Sequence, residues 1–148
     1  MSNGKPYSSL CLAVAGVIVM GMGPYFVVVR PPLLPEDARY LGTNLVQLQS
    51  SMPGLRVWLK WVFTVMGGYI FATGLLTAYL ALTNFRSRAQ GAAWVAALVG
   101  LSSVGLMAAV NFAIGSYFKW LLLGFALLWA AALGLYGQEG CRLLPARS

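Results

Sequence analysis

Four long stretches of the chain contain no Asp, Glu, Lys, Arg or His. These stretches run over residues 6–29, 61–85, 89–118 and 120–138. A helix needs about 20 mostly apolar residues to cross the hydrocarbon core of a bilayer, and each stretch can hold one. The sequence therefore predicts an all-α protein, a four-helix transmembrane bundle that occupies residues 1–148 as a single domain.

The composition favours lipid as the solvent for most of the protein surface. Hydrophobic residues make up 59% of the chain and charged residues 9%, against about 25% charged residues in a soluble domain. The net charge of +7 comes from basic residues scattered over loops and termini, with no lysine cluster flanked by aromatic side chains. This pattern indicates attraction to anionic lipid headgroups and disfavours nucleic-acid binding. Membrane lipids are therefore the predicted partners.

The predicted membrane helices cover about residues 8–29, 55–83, 91–114 and 117–137. Ser8 or Ser9 can cap the first of them, and Pro24 inside it predicts a kink because proline removes a backbone hydrogen bond. The apolar run after residue 7 is longer than the core of a usual signal peptide, so we expect the first segment to stay as a helix. The polar tail over residues 138–148 is expected to fray.

The loop between the first two membrane helices carries a helix signal of its own. Pro35, Glu36 and Asp37 form a typical first turn, with acids at the positive end of the helix dipole. An apolar stripe at helical spacing follows, made of Ala38, Leu41, Leu45 and Leu48. We predict a short amphipathic helix over about residues 36–49, which either lies on the membrane surface or caps the bundle. Capping is favoured because the polar face carries mainly uncharged amides.

The basic residues give a weak signal for orientation in the membrane. Lys5, Arg86, Arg88, Arg142 and Arg147 lie on one side of the predicted bundle, and Arg30, Arg39, Arg56, Lys60 and Lys119 lie on the other. The very short turn with Arg86 and Arg88 carries the clearest signal under the positive-inside rule. It favours both termini in the cytoplasm and the first loop outside.

Small residues recur at helical spacing on the last three predicted membrane helices. The rows are Gly67-Gly68 and Gly74, then Ala92, Ala96 and Gly100, then Ala126, Ala130 and Gly134. Such rows let helices approach closely in lipid, where packing drives association. They predict contacts inside the bundle or, as an alternative, a surface that docks onto a partner subunit.

The predicted membrane interior holds hydroxyl side chains and Asn111, but no carboxylate and no histidine. Such hydroxyls usually bond to their own backbone one turn back. Asn111 lies about one turn from the first loop, and we expect it to bridge to that loop or to a neighbouring helix. Proton relays and ion-coupled carriers usually need buried ionisable groups, so the sequence disfavours both classes.

No cofactor, metal ion or catalytic residue is predicted. The chain has no His and no CxxC pair, so haem, zinc and thiol chemistry lack their usual ligands. Cys11 and Cys141 do not imply a disulfide, and we expect free thiols. Glu36 and Asp37 are adjacent, so their side chains would point about 100° apart on a helix, which suits paired catalysis poorly. Helix capping with a Glu36–Arg39 ion pair is the better account.

Motifs in the first loop and the second membrane helix carry a resemblance. Leu34-Pro35-Glu36-Asp37 is followed by Arg39-Tyr40 and Gly42, then by Trp58-Leu59, Val62-Phe63, Gly67-Gly68-Tyr69 and Thr73-Gly74-Leu75-Leu76. Over about the middle third of the chain, these motifs resemble uncharacterised small four-helix bacterial integral membrane proteins with an LPED-containing first loop. The resemblance implies a four-helix fold and a bacterial inner-membrane location, and no catalytic residues. The chain lacks the membrane glutamate of small multidrug transporters, the CxxC of vitamin K epoxide reductases and the Trp…Cys…Cys loop of claudins.

The leading hypothesis is a non-enzymatic accessory or scaffolding subunit, or a homo-oligomer, that contacts another membrane protein or itself. The alternative is a lipid or hydrophobic-ligand binder, in which the kinked first helix opens a lateral groove lined by Met20, Tyr25, Trp61 and Asn111. A third class, an enzyme acting on a lipid, would have to use Glu36, Asp37, Arg39 and Tyr40 at the interface. The candidate interaction or ligand positions are therefore Glu36, Asp37, Arg39, Tyr40, Trp61 and Asn111.

Overall fold

The computed structural model describes residues 7–143, with side chains as far as residue 141. Every regular element in this part of the chain is helical. In chain order the helices are α1 (Tyr7–Val29), α2 (Pro35–Tyr40), α3 (Leu45–Ser51), α4 (Leu55–Phe85), α5 (Ala92–Ala113) and α6 (Lys119–Leu143). Helices α1, α4, α5 and α6 are long and apolar enough to cross a membrane. The prediction of an all-α protein with four helices long and apolar enough to cross a membrane is confirmed.

Helices α1 and α5 bury mainly small side chains, and all four long helices expose large apolar ones. Helix α1 packs along α4 and against α6, while α5 packs against α6 and more lightly against α4. Small residues dominate the buried positions of α1 and α5, whereas large apolar side chains such as Leu98, Leu101 and Leu127 are exposed. This distribution fits a bundle in lipid, where close backbone approach stabilises helix pairs.

Glycines bring α1 and α4 into backbone contact. A Cβ on Gly74 would lie 2.5 Å from the Met20 Cα and 2.7 Å from the Gly16 carbonyl oxygen. A Cβ on Gly16 would in turn lie 2.7 Å from the backbone nitrogen of Ala78. All three distances are shorter than van der Waals contact, so only glycine fits at these crossing points. The predicted packing role of Gly74 is confirmed, with Gly16 as its partner on α1.

Trp129 of α6 fills the space against α5. Its side chain is 3% exposed, and the indole Nε1–H donates to the Ala96 carbonyl at 2.9 Å. A Cβ on Gly100 would lie 2.6 Å from the indole Cδ1. Ala92, Ala96 and Gly100 are all buried. This row therefore packs inside the bundle, which is the first of the two predicted alternatives.

The predicted row of small residues on α6 turns outward. Ala126 is half-buried, whereas Ala130 and Gly134 are exposed. The inward face of α6 carries Leu122, Trp129 and Ala132 instead. The prediction that this row packs inside the bundle is therefore wrong. Spacing identifies residues that share a face, but it does not tell which way the face turns.

Proline changes the backbone at the end of α1. After Pro24 the last turn, Tyr25–Val29, is a wider π-type turn, in which the Arg30 N–H donates to the Tyr25 carbonyl at 2.9 Å. Because proline has no N–H to donate, the regular ladder is interrupted here. Arg30 is extended, so the chain leaves the helix at this residue.

The first loop contains two short helices, α2 and α3, in place of the single helix predicted over residues 36–49. Gly42 has φ +71°, the left-handed conformation that ends helices. The Asn44 side chain then accepts from the Gln47 N–H at 2.8 Å and caps α3. The apolar stripe runs on past Gly42 and Asn44. Apolar spacing alone therefore does not reveal that one helix ends and another begins there.

Helix α6 continues to Leu143, beyond the predicted end near residue 137. The expected fraying from residue 138 is therefore wrong as far as Leu143, and residues 144–148 lie outside the described part. The added length brings Glu139 to the start of α1. Its carboxylate accepts from the Ser8 N–H at 3.0 Å and from the Ser8 hydroxyl at 2.6 Å. A carboxylate in this position satisfies a free helix N–H and complements the helix dipole.

Candidate functional site

Residues 30–54 cross one end of the bundle, from α1 to α4. The turn between α5 and α6 lies at the same end, and we call this end of the bundle the first-loop end. Two contacts fasten α2 to that turn. Arg39 Nη2 donates to the Gly115 carbonyl at 3.2 Å, and Ser116 Oγ donates to Glu36 Oε1 at 3.4 Å. The loop is therefore held at the α5–α6 turn in addition to its two covalent attachments to α1 and α4.

Glu36 and Arg39 serve this attachment separately. Glu36 is 4% exposed and Ser116 is 3% exposed, so their hydrogen bond is shielded from water. The Arg39 guanidinium also lies 5.7 Å from the centroid of the Tyr117 ring. The predicted Glu36–Arg39 ion pair is not formed, because each side chain is drawn to the α5–α6 turn instead.

Asp37 links the start of α2 to the end of α1. Its carboxylate accepts from the Leu34 N–H at 2.9 Å and so caps the helix. The same carboxylate lies 3.9 Å from Arg30 Nη2. The predicted capping role thus falls to Asp37, and its charge is partly neutralised by Arg30.

Arg30 is held between aromatic rings. Its guanidinium carbon lies 3.9 Å from the centroid of the Phe63 ring and 5.5 Å from that of Phe26. Burial lowers the pKa of the Arg30 guanidinium, and the nearby Asp37, Tyr25 and Glu36 oppose that shift. Stacking on Phe63 and pairing with Asp37 fix the position of this cation where the chain leaves α1.

Two adjoining cavities lie at the first-loop end. The under-loop cavity has a volume of about 290 Å³. Its lining, mostly apolar, consists of Pro32, Leu33, Asp37, Tyr40, Leu41, Leu55, Leu59, Phe63 and Ile114. The basic groove has a volume of about 620 Å³ and lies between the end of α1 and the start of α4. Its lining consists of Phe26, Val27, Val28, Val29, Arg30, Pro31, Pro32, Arg56, Val57, Lys60, Trp61 and Phe63. Pro32 and Phe63 border both cavities, so the two are neighbours.

The basic groove combines apolar walls with cationic side chains. Val28 is 80% exposed and Trp61 is 65% exposed, so both present open apolar surface. Arg56 and Lys60 are exposed on the α4 side of the same groove. Chemically, this arrangement can accept a molecule with an apolar part and a negatively charged or polar head.

The structure brings only some of the predicted site residues together. Trp61 lines the basic groove and Tyr40 lines the under-loop cavity. Met20 and Tyr25 line neither cavity. Asn111 Nδ2 donates to the Met107 carbonyl of its own helix at 2.9 Å. The predicted bridge from Asn111 to the first loop or to a neighbouring helix is therefore wrong, because the side chain bonds one turn back in its own helix.

Sequence reasoning missed Arg56, Lys60, Val27 and Val28 as groove residues. They were assigned only to loops or to a membrane span, since nothing in local spacing places the end of α1 beside the start of α4. One signal was present in the sequence. Arg56 and Lys60 are four residues apart, which puts two like charges on one helix face without an acid nearby in the chain.

The opposite end of the bundle is closed by a compact set of contacts. Arg88 adopts a left-handed conformation with φ +56°, and Arg88 Nη1 donates to the Tyr136 carbonyl at 3.1 Å. Its guanidinium stacks 4.1 Å from the Tyr136 ring centroid, and the buried Phe85 ring lies 4.3 Å from the same ring. Ser9 Oγ donates to the Ala81 carbonyl at 2.6 Å. These contacts give Ser9 and Arg88 structural roles at this end.

The carboxylates and thiols of the described residues do not gather into a metal site. No group of three or more His, Cys, Asp or Glu side chains comes together within the part of the chain that the structure describes. Cys11 and Cys141 are free thiols, and Cys11 Sγ donates to the Leu128 carbonyl at 3.5 Å. Glu36 and Asp37 are both engaged in holding the first loop.

Comparisons with protein-family models, with curated proteins and with solved structures give no significant match. The resemblance of the first loop to small four-helix bacterial membrane proteins therefore stays a prediction.

Proposed function

We propose that the protein is a non-enzymatic integral membrane protein that binds a lipid or another amphiphilic molecule in the basic groove. The observation that carries this proposal is the groove itself, with a volume of about 620 Å³ between the end of α1 and the start of α4. Small-molecule sites in proteins typically have volumes of about 300–1,000 Å³. The groove is therefore large enough for the head and the first part of an acyl chain.

The lining of the groove supports an amphiphile over a purely polar ligand. Phe26, Trp61 and the three valines at the end of α1 offer apolar walls. The under-loop cavity adjoins the groove at Pro32 and Phe63 and is almost wholly apolar. A molecule with only polar groups would leave these surfaces unused.

The groove is also held in shape before any ligand arrives. Arg30 is stacked on Phe63 and paired with Asp37. The loop above is tied to the α5–α6 turn through Glu36 and Arg39. A rigid site binds more tightly because less conformational freedom is lost on binding.

Replacing Trp61 by alanine should reduce ligand retention. An indole wall that makes about ten atom contacts contributes about 1–2 kcal/mol of dispersion energy, so retention should fall about five-fold or more. The measurement is native mass spectrometry of the full chain purified from membranes in mild detergent. Wild type should carry one bound lipid-sized adduct, and the Trp61→Ala variant should carry it several-fold less often.

Trp58→Ala is the matched control for this experiment. Trp58 lies on the same helix and is 61% exposed, against 65% for Trp61, yet it lines neither cavity. Its replacement should leave the adduct unchanged. Equal loss in both variants, or a wild-type spectrum without any adduct, would contradict binding in the groove.

A second candidate function, an accessory or scaffolding subunit or a homo-oligomer, is favoured by the outward row on α6. Ala130 and Gly134 are exposed on one face, and small residues of this kind permit close helix contact in lipid. The native mass spectra of the wild-type protein also test this second candidate. A dimer mass or a co-purifying protein would support this candidate, and a lone monomer would count against it.

For orientation we propose a bacterial inner membrane with both termini in the cytoplasm and the first loop outside. The support is the short turn with Arg86 and Arg88. Cys141 is an exposed free thiol near the end of α6. A membrane-impermeant maleimide applied to intact cells should leave it unlabelled, and efficient labelling would reverse the orientation.

A further inference from the structure

We propose that the basic groove takes the phosphate of an anionic phospholipid, with Arg56 and Lys60 as the residues that bind the headgroup. This inference rests on the proposed function and adds the chemical class of the ligand. It is carried by the charges of Arg56 and Lys60, which form no ion pair within the described part of the protein.

Every acidic side chain of the protein is engaged elsewhere. The chain has three acidic residues. Glu36 bonds to Ser116, Asp37 pairs with Arg30 and caps α2, and Glu139 bonds to Ser8. Within the residues whose side chains are described, Arg30–Asp37 is the only ion pair within 4.0 Å. Arg56 and Lys60 are therefore unpaired within this part of the chain, and a bound anion would neutralise their positive charge.

The positions of the two cations suit one phosphate group. Residues four apart on a helix lie on the same face, with Cβ atoms about 5–6 Å apart. A guanidinium and an ammonium at that spacing can each donate to a different oxygen of one phosphate. Arg30, already fixed by Phe63 and Asp37, adds positive potential at the α1 side of the groove and acts as a positioning residue.

The surroundings favour a lipid phosphate over free phosphate. Arg56 and Lys60 are exposed, and two exposed cations alone hold a free ion weakly because water and salt screen them. Next to them in the groove, Val27, Val28 and Trp61 present exposed apolar surface. A phospholipid uses both parts at once, with the phosphate on α4 and an acyl chain along the end of α1.

The test compares phosphatidylglycerol with phosphatidylcholine, titrated into the delipidated full chain and followed by native mass spectrometry. Each basic residue near a membrane surface contributes about 1 kcal/mol to binding an anionic lipid, so two should give about 30-fold preference for phosphatidylglycerol. The double variant R56Q/K60Q should lose most of that preference. The charge-conserving double variant R56K/K60R should retain it, which separates loss of charge from loss of fold.

The matched control is R86Q/K119Q, which removes two positive charges from residues that line neither cavity. It should keep the wild-type preference.

Equal binding of both lipids to wild type, with loss of both in Trp61→Ala, would overturn the headgroup inference and leave the proposed function standing. No retention of either lipid would defeat both. Displacement of phosphatidylglycerol by millimolar inorganic phosphate would overturn the assignment to a lipid. An equal loss of the phosphatidylglycerol preference in R56Q/K60Q and in R86Q/K119Q would overturn the assignment to Arg56 and Lys60.

Discussion

Replacing Gly74 by valine should prevent the bundle from forming. A side chain at this position would meet the backbone of Met20 and of Gly16, and backbone atoms cannot turn aside as a flexible side chain can. The two helices would have to separate along their contact, which is the most extensive in the bundle. We expect a cost of at least about 3 kcal/mol, the upper end for overpacking, and loss of the monodisperse peak in fluorescence-detected size-exclusion chromatography.

Gly68→Val provides the control on the same helix. Gly68 is exposed, and a Cβ there would meet nothing within 4 Å. Its stability should change by less than about 1 kcal/mol, in the range of helix-propensity effects. If Gly74→Val and Gly68→Val behaved alike, the close crossing of α1 and α4 would be refuted.

Replacing Trp129 by alanine should be the second most damaging change. The side chain is almost fully buried, fits against Gly100 and donates to the Ala96 carbonyl. Removing such a large buried side chain typically costs about 3–5 kcal/mol. For a chain of this length the midpoint of thermal unfolding should fall by about 10 °C or more.

Trp94 serves as the comparison for Trp129. It lies on α5, one of the two helices that Trp129 joins, but its side chain is 76% exposed. The midpoint of Trp94→Ala should lie within a few degrees of wild type. A Trp129→Ala protein as stable as Trp94→Ala would show that α5 and α6 do not pack through this indole.

The membrane helices could be predicted because their signal is local. A stretch without charged residues is visible in the sequence without knowing what packs against it. The inward direction of a helix face is a property of the assembled bundle. Ala92, Ala96 and Gly100 pack inward while Ala130 and Gly134 turn outward, although both rows have the same spacing.

The polar contacts at the two ends were hidden for a related reason. Ser8 and Glu139 are 131 positions apart, and Glu36 meets Ser116 across 80 positions. Neither pair has a local signature. The sequence suggested a local Glu36–Arg39 pair, but the α5–α6 turn offered both side chains partners that only the folded bundle supplies.

The alternative hypothesis placed a lateral groove under the first loop, lined by Met20, Tyr25, Trp61 and Asn111, and of these residues only Trp61 lines the basic groove. The kink at Pro24 was expected to expose Met20 and Tyr25, whereas the groove begins at Phe26. The π-type turn after Pro24 carries Val27, Val28 and Val29, and Arg30, Pro31 and Pro32 complete the wall. Trp61 was identified because an aromatic residue at the start of a membrane helix is a typical interface residue.

Photo-crosslinking can show whether an amphiphile occupies the groove between α1 and α4. The full chain in bilayers that contain a photoreactive phosphatidylglycerol would be irradiated, digested and mapped by peptide mass spectrometry. We predict labelling concentrated on residues 26–32 and 56–63. Labelling spread evenly over the exposed faces of all four long helices, including the outward face of α6, would show that the groove does not hold the lipid.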